Sequence, residues 1–402
     1  MKIGIYISGL GQSFVEETLE KYAERFMNEM SFDTNAIEYE LKTEKISYGT
    51  QESTVVSIFE KNMGGTVLYK FYDFKYHHIL TERFNSHSLI IRSFQLFLLV
   101  LQKFPVLLFR IFSHSSYSRP FQTFYLFIIF FILSFAILLM LPSLLDIVSN
   151  SQLIKAVVLF KNKIYPHDVP YIHQEGFINT LQTISKITVS FTAILILIIP
   201  NVNLLISNLA SEFVCANDYI QHGAQKQVLQ GNLELLVNYI TENEENSRIH
   251  FHSYSFGSLL AIDYIYPFGH KVSRNAEMYC EAFVTIGTPF EFVNSYYPLY
   301  YESRQADLGD KLHWLNVYSS ADALATNFRK DSKIGEAQFG IMKTSKKPTN
   351  INYEVAALDK YNLLNFILLY SMRVHGMYWD HKTEGKSCIS LVFSEMKRRN
   401  LL

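Results

Sequence analysis

Arg248-Ile-His-Phe-His-Ser-Tyr-Ser-Phe-Gly-Ser-Leu-Leu-Ala-Ile-Asp263 is the stretch from which the fold is read. A short apolar-rich run holding Ile249 and Phe251 ends at Tyr254, and helical spacing with Leu259, Leu260 and Ile262 begins at once. Between them, Ser253-Tyr-Ser-Phe-Gly257 has the form of a sharp turn that lifts the Ser255 hydroxyl clear of a sheet edge. Such a turn needs small residues two before and two after the serine, so that neighbouring backbone can pass close. Gly257 meets that need, whereas Ser253 stands where glycine is usual. The same five-residue pattern also arises by chance, so the flanking strand and helix must carry the reading.

Outward from this turn, strands and helices alternate. Ile3-Gly-Ile-Tyr-Ile7 reads as a buried strand, Ser8-Gly-Leu-Gly-Gln12 as a loop, and Phe14, Leu19, Tyr22, Phe26 and Met30 as a helix. The glycines of that loop suit a turn with positive φ; equally, its backbone N–H groups could face a developing oxyanion. Strands are expected at 37–41, 55–59 and 66–72, the last two joined by a turn through Gly64-Gly65. Past residue 217 come a helix reaching Asn246, the opening strand and turn, and strands at 282–286, 312–318 and 351–355. An apolar helix at 358–372 and a helix at the C-terminal end complete the pattern. The fold class is α/β, a mostly parallel sheet with helices on both faces.

Composition narrows the field. Of 402 residues, 49% are hydrophobic and only 18% charged, and the net charge of −1 gives no argument for a nucleic-acid partner. Three scattered cysteines, Cys215, Cys280 and Cys388, argue against a disulfide framework and suit a reducing compartment. The opening strand is too short for a secretory signal, so none is expected.

Apolar residues crowd into 89–209. The run 89–112 is punctuated by Arg92, Lys103 and Arg110, which favours a helix lying in a membrane interface. Phe121–Leu145 and Ile187–Leu209 are free of charge and long enough, at about 1.5 Å per residue, to span a core of roughly 30 Å. These segments predict a two-helix transmembrane hairpin inserted into the sheet domain. The expected organisation is residues 1–80 and 217–402 as one domain interrupted by a membrane insertion at 81–216. Basic residues before the first span slightly outnumber those of the connector, which places both termini of an integral membrane protein in the cytoplasm.

The chemistry turns on Ser255. A serine hydroxyl needs a histidine to take its proton, and the imidazole needs a carboxylate to hold its tautomer. Asp322 follows a predicted strand end, and His375 follows the apolar helix, giving the order serine, acid, histidine. Taken singly, Asp322 also suits a turn or helix cap, and His375 a surface position. His381 is a rival base. His250 and His252 share a strand face, yet no third ligand is evident, so neither a metal nor any other cofactor is expected.

Taken together, these strings resemble an α/β-hydrolase of the serine esterase/lipase type. The similar pieces are Tyr6-Ile-Ser-Gly-Leu-Gly11, Ser253-Tyr-Ser-Phe-Gly257, Thr285-Ile-Gly-Thr-Pro289, Trp314–Asp322 and His375-Gly-Met-Tyr-Trp379. The resemblance covers 1–76 and 217–402 and departs at Ser253 and at Ser8, where many relatives carry glycine and histidine. It implies Ser255 as nucleophile, Asp322 as acid and His375 as base. The N–H groups of Leu10 and Phe256 would form an oxyanion hole, shaped by Gly9, Gly11 and Gly257. The implied activity is cleavage of a carboxylic ester, small or lipid, by a hydrolase anchored in a lipid bilayer. The other reading of the same residues is a catalytically weak hydrolase-fold protein serving as a membrane interaction or signalling module. Two spans without intramembrane charge make a transporter a poor third.

Overall fold

The structure is a computed structural model that describes residues 1–10, 17–34, 37–61, 66–112, 213–221, 223–269, 271–302, 311–331, 333–341, 347–354, 374–379 and 387–402, with 183, 190, 211, 304, 308 and 383–385. Strand β1 (Lys2–Ile7) leads to helix α1 (Leu19–Thr34), then to β2 (Tyr39–Tyr48), β3 (Gln51–Glu60) and β4 (Val67–Asp73). Helices α2 (His77–Ser86) and α3 (Leu89–Phe112) follow. Beyond lie α4 (Ala224–Asn243), β5 (Arg248–Tyr254), α5 (Gly257–Ile265), α6 (Arg274–Tyr279) and β6 (Cys280–Ile286). Helix α7 (Phe290–Tyr296), β7 (His313–Tyr318), β8 (Thr349–Asn352) and α8 (Ile389–Arg398) complete the order.

The eight strands form one sheet in the order β2-β3-β4-β1-β5-β6-β7-β8. Pairing is antiparallel at β2/β3 and β3/β4 and parallel at every other junction, so β3 alone runs against the rest. This is a mixed α/β fold with a mostly parallel sheet. Strand β1 places Tyr6 on one face and Ile3, Ile5 and Ile7 on the other, and all four are buried. On the Tyr6 face, Phe71, Tyr254, Val284 and Val317 pack with Tyr22 and Phe26 of α1 and Ile389 and Val392 of α8. On the opposite face the Phe251 ring lies 5.5 Å from that of Tyr264 on α5. Cover on both sides explains why β1 reads as an apolar run, whereas β5 also buries His250, His252 and Ser253. Each fully buried Ile or Phe contributes about 1.5–3 kcal/mol.

The chain divides into two units, Met1–Arg83 with Pro105–Phe124 and Cys215–Leu402, and Phe84–Phe104 with Tyr125–Val214. The whole sheet belongs to the first. It draws β1–β4 from before the apolar region and β5–β8 from after it.

One expectation is corrected here. No helix among the described residues is long and apolar enough to cross a membrane, so the described structure provides no helix for the expected transmembrane insertion of an integral membrane protein. Helix α3 has the bounds expected of an apolar segment, but Arg92, Lys103 and Arg110 interrupt it and Pro105 sits inside it. The two expected spans, 121–145 and 187–209, lie outside the described residues, as does the helix expected at 358–372.

The strand order also locates the functional edge. From β1 the chain goes first to the β4 side of the sheet and then returns to the β5 side. The carboxyl ends of β1 and β5 therefore border a topological switch point, the crevice where open α/β sheets take ligands. Ser8–Leu10 and Ser255 leave the sheet there.

Candidate active site

Ser255 occupies the turn between β5 and α5 with φ of 50°, a left-handed conformation that costs a non-glycine residue about 1–3 kcal/mol. Its N–H is held by Ile286 O at 2.9 Å, and Ser258 N–H closes back on its carbonyl at 3.0 Å. Gly257 is required by proximity. A Cβ there would lie 2.3 Å from Ile7 O and 2.5 Å from Ser8 O, so the end of β1 packs directly on the start of α5. Ser253 is accommodated differently, its buried hydroxyl donating to Val284 O at 2.9 Å on the neighbouring strand.

Three separate segments converge on the Ser255 hydroxyl. His375, in the turn 374–378, sets Nε2 2.7 Å from Ser255 Oγ and Nδ1 2.8 Å from Asp322 Oδ2. The tautomer that satisfies both has Nδ1–H donating to the carboxylate and Nε2 accepting from the serine. Asp322 ends the turn after β7, its N–H bonded to Ser319 O at 3.2 Å and its Oδ1 taking the Leu324 N–H at 2.8 Å. Asp322 is fully buried, whereas Ser255 and His375 keep 7% and 9% of their surface. The acid is thus shielded while the hydroxyl and imidazole remain within reach of a ligand.

The histidine is seated by its neighbours. Tyr254 O–H donates to His375 O, and the two rings stack 5.5 Å apart. Gly287, at φ of 59°, lets the imidazole lie against the end of β6, since a Cβ there would fall 3.1 Å from His375 Cε1. Tyr378 O–H donates to Asp322 Oδ2 at 2.9 Å and accepts from Ser319 N–H at 3.0 Å. Burial, followed by the nearby Asp322 charge, raises the Tyr378 phenol well above its ordinary range, which keeps it a donor.

On the other side of Ser255 lies the loop after β1. Tyr76 O–H donates to Ser8 O at 2.8 Å, and His77 Nε2 meets Gly9 O at 2.9 Å and Ser8 Oγ at 3.2 Å. Burial lowers His77 to about 4, so the ring is neutral at pH 7 and Nε2–H is the donor to Gly9. Leu10 is buried in this held loop, and Gly11 lies outside the described residues. The Phe256 N–H opens α5, where first-turn amides have no intrahelical acceptor and the helix dipole favours negative charge.

No protein-family model, curated protein or solved structure matches this chain. The resemblance to serine esterases and lipases is therefore corrected: it rests on short strings that unrelated chains share, and it assigns no family. What remains is the geometry itself.

Of the other histidines, His381 lies outside the described residues. His250 and His252 are buried and bridged by Tyr69 O at 2.7 and 3.0 Å. Tyr22 O–H meets His252 Nδ1 at 2.7 Å, and His250 Nε2 meets Glu281 Oε2 at 3.2 Å. Among the described residues no group of three or more His, Cys, Asp or Glu could hold a metal ion.

Sequence reasoning missed Tyr76, His77, Tyr254 and Tyr378. Tyr254, next to Ser255, and Tyr378, three residues after His375, lie inside the strings already singled out, but their roles were not legible there. Those roles depend on β4 lying beside β1 and on the long-range return of residue 375 to β5.

Proposed function

We propose that this protein is a serine hydrolase that cleaves carboxylic esters, lipid esters among them, through an acyl-enzyme intermediate. The observation that carries this reading is the chain of hydrogen bonds from Ser255 Oγ through His375 to Asp322 Oδ2. In the first half-reaction His375 Nε2 takes the Ser255 proton as Oγ bonds to the ester carbonyl carbon. Negative charge develops on the carbonyl oxygen, where the N–H groups of Phe256 and Leu10 are the nearest candidates to receive it. Collapse breaks the carbon–oxygen bond to the alcohol, which leaves with the proton from His375. A water molecule then attacks the acyl group, giving up a proton to His375, and Ser255 is regenerated as the carboxylic acid departs. Asp322 holds Nδ1–H throughout and stabilises the imidazolium.

The aromatic rings beside the turn are buried and hold it in place. Tyr76 stacks on Phe256 at 6.1 Å and Tyr219 meets it edge-on at 5.6 Å. Hydrolysis of p-nitrophenyl acetate and p-nitrophenyl decanoate, followed for a pre-steady-state burst, tests the reading. A burst abolished by Ser255→Ala supports it. A folded native protein with no turnover of either ester contradicts it.

A further inference from the structure

The first unit holds a concavity at the opposite end of α5 from Ser255. It borders Asp263 and Tyr264, roughly 12 Å along the helix from the serine at about 1.5 Å per residue. Its volume is about 870 Å³, within the range of small-molecule sites. None of Ser255, His375 and Asp322 lines it, so a ligand held there is independent of the hydrolase reading.

Two properties of this cleft point to a ligand. The first is its apolar wall. Tyr264, Tyr296, Tyr297, Phe268 and Leu299 contribute to it, and Phe268 and Leu299 are 54% and 67% exposed. Large apolar side chains gathered at a concavity and left open to water favour an apolar occupant. The second is charge. Among the described residues that line it, Lys226, Lys271 and Arg304 stand against two carboxylates, Asp263 and Glu234.

Both carboxylates are committed to donors of the protein itself. Asp263 meets Arg304 Nη2 at 2.5 Å and Lys226 Nζ at 2.9 Å as ion pairs, and accepts from Tyr219 O–H at 2.7 Å and Tyr300 O–H at 2.5 Å. Glu234 accepts from Tyr264 O–H at 2.5 Å. Lys226 keeps about a quarter of its side chain exposed (23%), and Lys271 is exposed. The surplus of charge is therefore positive, and it sits beside the apolar wall.

From this pairing we infer that the cleft binds a monoanionic amphiphile, a medium- or long-chain alkyl carboxylate. The alkyl chain lies against Phe268, Leu299 and the tyrosine rings, and the carboxylate faces Lys226 and Lys271. A cationic amphiphile is repelled by the same lysines, and a short carboxylate lacks the apolar contact.

Isothermal titration calorimetry on the full chain tests this, with decanoate, butyrate and decyltrimethylammonium as probes. Decanoate is expected to bind at least about tenfold more tightly than either of the others. Leu299→Asp and Lys271→Glu alter exposed positions at the cleft, and each is expected to weaken decanoate binding about tenfold without moving the thermal midpoint. Should Leu299→Asp fail to fold, Lys271→Glu decides alone. The inference is overturned if decanoate does not bind, if decyltrimethylammonium binds as tightly, or if the folded variants keep native affinity.

Discussion

Tyr378 and His375 share one acceptor: the phenol O–H of the first and the Nδ1–H of the second both meet Asp322 Oδ2, at 2.9 and 2.8 Å. The tyrosine lies three residues after the histidine in the same turn, so one short segment supplies both of these donors to Oδ2. Tyr378→Phe removes one of them and leaves the Ser319 N–H without its acceptor. Those two bonds fix the carboxylate against His375 Nδ1, so their loss loosens the orientation of the imidazole toward Ser255, and kcat for ester hydrolysis is expected to fall about tenfold with KM little changed. With fewer donors, the carboxylate stabilises the imidazolium more strongly, and the acidic limb of kcat/KM, which requires neutral His375, moves to higher pH. Unaltered kcat and an unmoved pH profile would show that Tyr378 only fills space.

At the Ser255 turn, the two flanking small residues answer to different forces. Gly257→Ala drives a methyl group against the Ile7 and Ser8 carbonyls, and is expected to cost about 1–3 kcal/mol by overpacking. Ser253→Gly loses the buried bond to Val284 O and adds chain entropy to the unfolded state, for about 1–2 kcal/mol. Urea unfolding of both variants checks the pair. A Ser253→Gly protein more stable than the native one would mean that the serine is strained in its place.

His77 offers a pH test whose sign can be fixed in advance. Burial holds its folded pKa at about 4, below the unfolded value of about 6.5. The unfolded state therefore binds a proton in that interval while the folded state does not, and stability is lost as pH falls from about 6.5 toward 4. A glutamine does not titrate, and its amide can still donate to Gly9 O. The stability difference between native protein and His77→Gln is thus expected to shift by roughly 2 kcal/mol in favour of the variant between pH 7.5 and 4.5. Chemical denaturation at the two pH values measures it, and a constant difference would refute the assignment. Asp73 acts in the opposite sense: burial raises it to about 7, and it is common to both proteins.

The chain Tyr22–His252–Tyr69–His250–Glu281 admits one consistent direction. If His250 Nε2–H donates to Glu281, then Tyr69 O–H donates to His250 Nδ1, His252 Nε2–H to Tyr69 O, and Tyr22 O–H to His252 Nδ1. Both histidines are buried, and burial lowers both below their ordinary value, which suits neutral rings. Nitrogen-15 NMR is expected to find both as Nε2–H tautomers. Tyr69→Phe leaves two buried ring nitrogens without partners, at about 1–3 kcal/mol each. A loss under about 1 kcal/mol, or an Nδ1–H tautomer at either position, would break the chain as drawn.

The legible parts of this molecule are those written locally. Strands β1, β6 and β7 are short apolar-rich runs, β5 alternates Ile249 and Phe251 with histidines, and the turn at Ser255 is spelled by its neighbours. The order serine, aspartate, histidine drew attention to three residues that the fold sets within hydrogen-bond contact. The seating groups were hidden because they depend on strand order: nothing near Tyr76 or His77 says that β4 lies beside β1. The transmembrane reading came from charge-free runs at 121–145 and 187–209, and hydropathy alone does not separate a spanning helix from a buried one. The family reading failed for a related reason, since five short strings in a shared order record local turns and not a lineage.

Labelling with a fluorophosphonate probe, located by peptide mass spectrometry, tests the nucleophile most directly. The phosphonyl group is expected on Ser255 Oγ of the native chain, absent from Ser255→Ala and strongly reduced in His375→Ala. A correctly folded native protein that takes no label, or takes it only at another residue, would contradict Ser255 as the nucleophile.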